Sequence, residues 1–167
     1  MSIMETTTMA TDNRRGAGTG SRDSVEILQF ATFHLNREVM GINILQVQEI
    51  QQPQRVTPVP RAPSYVMGLI SLRGQIIPLV DLRRRLRMDT GKPIAKPYHI
   101  VVRGASTMAC FEVDQIGDVV NVPSDRYRKP PESVHAIDKR FMEGVYPMEE
   151  GILTVLNVEE VLELETV

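Results

Sequence analysis

The 167 residues carry 19 Lys and Arg against 21 Asp and Glu, a formal net charge of -2, and the two signs are mixed along the chain. That balance offers no concentrated basic face for phosphates, and with no tryptophan, four phenylalanines and four tyrosines the platforms on which bases stack are scarce. A single cysteine, Cys110, excludes an internal disulfide and a paired-cysteine zinc site and points to a reducing, cytoplasmic setting, while no apolar run approaches the roughly 20 residues of a membrane-spanning helix.

Residues 1–24 are rich in Thr, Ser, Gly and Arg. Such a segment buries too little apolar surface to offset its ordering entropy, so a disordered tail, dispensable for partner binding, is expected ahead of a folded domain over 25–165. Val25 to Leu35 is a β-favouring run, and Asn36-Arg37-Glu38 turns it into Val39-Met40-Gly41-Ile42, a hairpin. Ile44, Leu45, Val47 and Ile50 suit a short helical stripe, and their β-branching suits a strand equally. Prolines 53, 58, 60 and 63 make Gln52 to Pro63 an extended surface loop. Pro63 to Met67 reads as one helical turn, stopped at Gly68 in a left-handed cap.

The organising stretch is Gly68 to Arg83, GLISLRGQIIPLVDLR. Two apolar blocks flank Arg73-Gly74-Gln75, which reads as two extended segments bent at Gly74, where positive φ carries no steric cost. Pro78 lacks an amide hydrogen, so its segment is expected at a sheet edge or leaving the ladder there. Asp81 is placed to cap a short helix opening at Leu82. Hairpins follow over Tyr98 to Val113 and Phe141 to Leu156, a strand runs through Ile116 to Val122, and Asn157 caps a terminal helix, Val158 to Leu164. About ten short strands with brief helices argue for small barrels over a doubly wound sheet, and the recurring order of hairpin, loop, bent strand pair and short helix suggests two similar lobes.

No catalytic constellation, cofactor loop or metal cluster emerges. His34, His99 and His135 are far apart, none at the i, i+4 spacing of a helical metal site, and structural or solvent roles are expected. Cys110 lies in an apolar strand as a small hydrophobe. Asp114 and Asp118 read as strand-end residues that bind turn amides.

From Ile27 to about Leu164 the chain resembles the CheW family, adaptor proteins of bacterial chemosensory arrays. Three blocks carry the likeness: Gly41-Ile42-Asn43-Ile44 with Val47-Gln48-Glu49-Ile50; Leu72-Arg73-Gly74 with Pro78-Leu79-Val80-Asp81-Leu82; and Val113-Asp114 with Gly117-Asp118-Val119. The resemblance implies a mainly β fold of two five-stranded SH3-like barrel lobes in pseudo-twofold relation, no enzymatic chemistry and no cofactor. It implies as partners the regulatory domain of the histidine kinase CheA and the cytoplasmic tip of chemoreceptors, at membrane-associated arrays and without membrane insertion. Where the family often has Asn before Leu-Arg-Gly, this chain has Ser71. The competing readings are a small β-barrel binding nucleic acid or another ligand, which the mixed charge disfavours, and a hydrolase, which lacks a credible nucleophile and base.

The expected interface has two parts. Ile42, Ile44, Leu45 and Val47 are candidates to line a groove for the receptor's helical tip, though each suits the core as well. Arg73, the only charge inside the apolar stretch, is expected to leave the sheet at the bend and meet Glu49, fixing a surface for kinase or receptor. Gly68 and Gly74 are the structural turn positions.

Overall fold

The computed structural model describes residues 25–133, 137–149 and 151–164; the predicted tail and His135 lie outside the described residues. The strands are β1 (Ile27–Leu35), β2 (Glu38–Asn43), β3 (Val47–Gln51), β4 (Val66–Leu72), β5 (Gln75–Asp81), β6 (Tyr98–Arg103), β7 (Met108–Val113), β8 (Gln115–Pro123), β9 (Met142–Met148) and β10 (Gly151–Leu156). Two four-residue helices, α1 (Leu82–Arg85) and α2 (Val158–Val161), follow β5 and β10. The expected ten strands are present, as are the helices after Asp81 and Asn157, the terminal one ending at Val161 rather than Leu164; Pro63 to Met67 forms no helix.

The strands form two five-stranded sheets, ordered β8-β1-β2-β10-β9 and β3-β6-β7-β5-β4. Pairing along each order is antiparallel, antiparallel, parallel, antiparallel. The two sheets are therefore topological copies, as the recurring order of elements suggests, but they are not successive halves of the chain. β3 to β7 make one sheet as an uninterrupted block, and β1, β2 and β8 to β10 close around it from both ends. Neither sheet joins its two edge strands by backbone hydrogen bonds among the described residues.

Apolar runs without alternation mark strands buried on both faces. Ile100 and Val102 of β6, with Ala109, Phe111 and Val113 of β7, face a central core shared with Phe33, Leu35, Met40 and Ile42 of the other sheet. Val101 and Cys110 point the opposite way, into a small private core with Ile70, Leu72, Ile77 and Leu79. Phe30, Val122, Leu153 and Val155 form its counterpart in the first sheet. One continuous central core thus holds two small barrels-in-outline together.

Asp81 caps α1 as expected, its Oδ1 accepting from the amides of Arg83 at 3.1 Å and Arg84 at 3.4 Å. Asn157 does the same for α2, accepting from Glu160 N at 3.3 Å. Of the two placements expected for Pro78, the sheet edge is corrected and the gap in the ladder holds. Pro78 lies on β5, an interior strand between β7 and β4. Leu69, its partner on β4, exchanges both backbone bonds with Thr57, so Pro78 faces away from β4, and pairing with β7 begins only at Leu79. The missing donor falls where no ladder bond is made.

Gly68 does not cap a helical turn: it sits inside β4 at a bulge, with φ of +149°. A Cβ there would stand 2.5 Å from the carbonyl oxygen of Thr57, so the residue is needed both for its conformation and for the loop strand that crosses it. Gly68→Ala is expected to lower stability by about 1–3 kcal/mol. Urea unfolding measures this, and a change within a few tenths of a kcal/mol would contradict the close approach.

Candidate functional site

The chain passes from one sheet to the other through a 3-10 turn, Ile44–Gln46, between β2 and β3. Asn43 fixes this crossing by accepting from Leu45 N at 2.9 Å. Both readings of the segment therefore hold in part, a helical turn over 44–46 followed by a strand. The turn lifts Leu45 into solvent, 88% exposed, while Ile44 and Val47 are half-buried. Ile42 is 0% exposed and belongs to the central core, so the core reading applies to it and it presents no surface.

Arg73 and Gly74 form a two-residue hairpin turn between β4 and β5, with φ of 51° and 82°. Two successive positive φ values suit the tight turns whose twist matches that of the strands they join. At this tip Arg73 is 74% exposed, and its guanidinium grips Glu49 with Nη1 to Oε2 at 2.7 Å and Nη2 to Oε1 at 3.4 Å. The expected pairing is present. Its setting was not legible: Glu49 is on β3 and Arg73 follows β4, the two edges of one sheet. Side chains thus join edges that backbone bonds leave open.

Glu49 has a further partner. Gln51 Nε2 donates to Glu49 Oε1 at 2.8 Å, and Gln51 stands opposite His99, which stands opposite Glu112. His99 Nε2 is 3.2 Å from Glu112 Oε1. A polar row therefore crosses β3, β6 and β7 beside the private core. Sequence reasoning passed over it, although a histidine and a glutamate inside otherwise apolar strands are the signal that marks it.

Of the remaining candidates, Asp114 and Cys110 fall where expected, and Asp118 does not: it stands exposed in the middle of β8, where its backbone oxygen accepts from Thr32 Oγ1 at 2.6 Å. Asp114 Oδ2 accepts from Asn36 N at 2.8 Å, tying down the first hairpin turn. Cys110 is buried, and burial, with the negative charge of Glu112 and Glu49 behind it, pushes its thiol up to about 12. The thiol rather than the reactive thiolate is therefore the form present at neutral pH. Cys110 is expected to resist a thiol-specific reagent at pH about 8 in the folded protein and to react promptly once urea unfolds it. Rapid labelling of the native chain would contradict this placement.

No described helix is long and apolar enough to cross a membrane. The family model for the CheW-like domain matches residues 29–166. The chain is 31% identical to a chemotaxis protein CheW of Helicobacter pylori over 87% of this chain and 88% of that one, and 31% identical to a chemotaxis protein CheW of Rhizobium meliloti over 82% and 88%. In structure it is similar to the scaffolding protein TtCheW of Thermoanaerobacter tengcongensis, with a TM-score of 0.76, 26% identity, and coverage of 84% of this chain and 95% of that one.

Proposed function

Because the chain belongs to the CheW-like family and serves as a chemotaxis adaptor, we propose that it couples chemoreceptors to the histidine kinase CheA, as a scaffold that does no chemistry of its own. Its place is then at membrane-associated receptor arrays, reached through partners. The folded unit proposed for this work is the segment 25–165, with residues 1–24 contributing nothing to either partner.

The supporting observation is an exposed apolar side chain standing four residues before the acid of a clamped ion pair. Leu45 stands out from the crossing between sheets, and Glu49, four residues on, is held by Arg73. Ile44, Leu45 and Val47 supply an apolar strip that suits a helix laid against the junction of the sheets. Glu49 and Arg73 supply a charged element whose geometry is fixed before the partner arrives, which lowers the ordering cost of binding.

Leu45→Asp is expected to weaken binding of a receptor-tip fragment by about tenfold or more, about 1.4 kcal/mol, with stability unchanged because the side chain is exposed. Co-sedimentation with receptor fragment and kinase measures it. Full binding by a folded Leu45→Asp variant would move the receptor surface away from the crossing, and failure of the parent to co-sediment with either partner would remove the coupling reading.

A further inference from the structure

Of the four arginines in the local basic run, three are accounted for. Arg84 pairs with Asp81 at 3.3 Å, Arg85 donates to carbonyls around the end of α2, and Arg87 pairs with Asp138 at 3.5 Å. Arg83 is 7% exposed, yet its Nε has no hydrogen-bond partner. Its ion pair with Asp81 Oδ1, at 3.8 Å, is too long for a hydrogen bond, and that carboxylate is already held by the amides of Arg83 and Arg84 and by the Arg84 guanidinium. Nη1 donates to Lys92 O at 3.0 Å. Nη2 has no acceptor among the described residues and, unlike Nε, is not sealed from solvent. A guanidinium carries five N–H donors, and most of these stand unused.

Arg83 is in the wall of two open cavities that share Thr90 and Gly91. In the smaller, about 580 Å³, Arg83 and Arg84 meet Asp81 and Glu112, so the charges cancel. The larger, about 760 Å³, is formed where the β1–β2 turn of one sheet meets the segment after α1 in the other, two pieces joined by a bond from Asn36 Nδ2 to Asp89 O at 2.9 Å. Its walls carry three cations, Arg37, Arg83 and Lys92, against two acids, Glu38 and Asp89. Arg37 and Lys92 are exposed and have no ion pair among the described residues. Asp89 Oδ1 is turned to its own loop, accepting from Gly91 N at 3.1 Å.

We propose that this larger cavity binds a phosphate group, which takes the free Nη2 donors of Arg83 and the charges of Arg37 and Lys92. A single phosphate needs no extended basic face, only a few convergent donors. Cations reaching one space from a hairpin turn, a helix and a loop suit a tetrahedral group, whose oxygens point in several directions, better than a planar carboxylate. Bound there, the group ties the turn of one sheet to the loop of the other beside the Asn36–Asp89 contact. The site uses neither Leu45 nor Arg73, so it does not rest on the coupling reading.

The test titrates inorganic phosphate into the full chain to about 20 mM at constant ionic strength, followed by nitrogen NMR of backbone amides and arginine side chains. The expected result is a saturable shift at Arg83 Nε and at the amides of Arg37, Gly91 and Lys92. Affinity is expected to fall about tenfold in Arg37→Gln and in Lys92→Gln, both replacing exposed side chains, and to hold in Arg55→Gln, whose side chain is exposed outside the cavity. Absence of saturation, equal loss in Arg55→Gln, full affinity in both cavity variants, or acetate binding as tightly as phosphate overturns the proposal. O-phosphoserine titrated in parallel separates the sources, and either answer upholds the site: comparable affinity assigns it to the phosphate of a larger molecule, and binding of inorganic phosphate alone assigns it to the free ion.

Discussion

Arg85→Ala is expected to cost about 3–5 kcal/mol of stability, a large share of the about 5–15 kcal/mol that holds a domain of this size folded. Arg85 is 7% exposed and closes the four-residue helix α1, four residues past its Asp81 cap. Its Nε donates to Val161 O at 2.9 Å, and its Nη2 donates to Glu160 O at 3.0 Å and Glu163 O at 2.7 Å. These carbonyls lie at and just past the end of α2; Glu160 O also accepts from Glu163 N at 3.2 Å, and for Val161 O and Glu163 O the guanidinium is the donor shown. The guanidinium also lies 4.8 Å from the ring centres of both Tyr65 and Phe141. One side chain from the nested sheet therefore closes the last helix of the enclosing one. Truncation removes the guanidinium donor from Val161 O at a buried position and from Glu163 O, and empties the space between two rings, and an orphaned buried acceptor costs about 1–3 kcal/mol. Arg85→Lys keeps the charge at a helix C-terminus but replaces a planar fork by a single point, so it should recover only part of the loss. Urea midpoints of the three proteins measure this. A loss under about 1 kcal/mol for Arg85→Ala would mean that solvent replaces the guanidinium freely.

The importance of Arg85 was not legible in the sequence, where it is one of three consecutive arginines in a local basic run. Local features were legible: strand runs, turn residues, the Asp81 and Asn157 caps and the Glu49–Arg73 pairing each depend on a few neighbouring residues or on one distinctive charge. The nesting of the sheets was not, because β2 pairs in parallel with β10 across more than half the chain and nothing near either strand encodes that meeting. Gly68 failed for the same reason. A glycine after a short apolar run suits a helix cap, and only the return of Thr57 across β4 shows that close approach is what excludes a side chain. In the candidate site, Ile42 and Leu45 have the same character in sequence and opposite burial, 0% against 88%, because the chain crosses between sheets just after Asn43. His99 was expected in a structural or solvent role because no second histidine stands at metal-site spacing; its carboxylate neighbour Glu112 and its cross-strand neighbour Gln51 are supplied by strand pairing.

Arg73→His is expected to leave the melting temperature within a few degrees of the parent while lowering kinase or receptor affinity by about 2 kcal/mol or more, roughly 30-fold. The stability half follows from exposure. Arg73 is 74% exposed and Glu49 20%, and an ion pair of this kind is worth about 0.2–1 kcal/mol after solvent screening, even with both guanidinium nitrogens engaged. The pair does join two sheet edges, but the central core on the opposite face of that sheet carries the packing. The binding half follows from position. At the tip of a tight turn Arg73 presents a rigid planar fork, and His keeps a hydrogen-bonding ring while losing the fixed charge and the five donors. Exchanging the two charges, Glu49→Arg with Arg73→Glu, separates the roles. If the pair only closes the sheet, the exchange restores binding along with the ion pair; if the partner reads each charge where it stands, the doubly substituted protein folds normally and stays unable to bind. A variant Arg73→His that unfolds makes the residue a structural clamp, and one that binds both partners at parental affinity removes it from the interface.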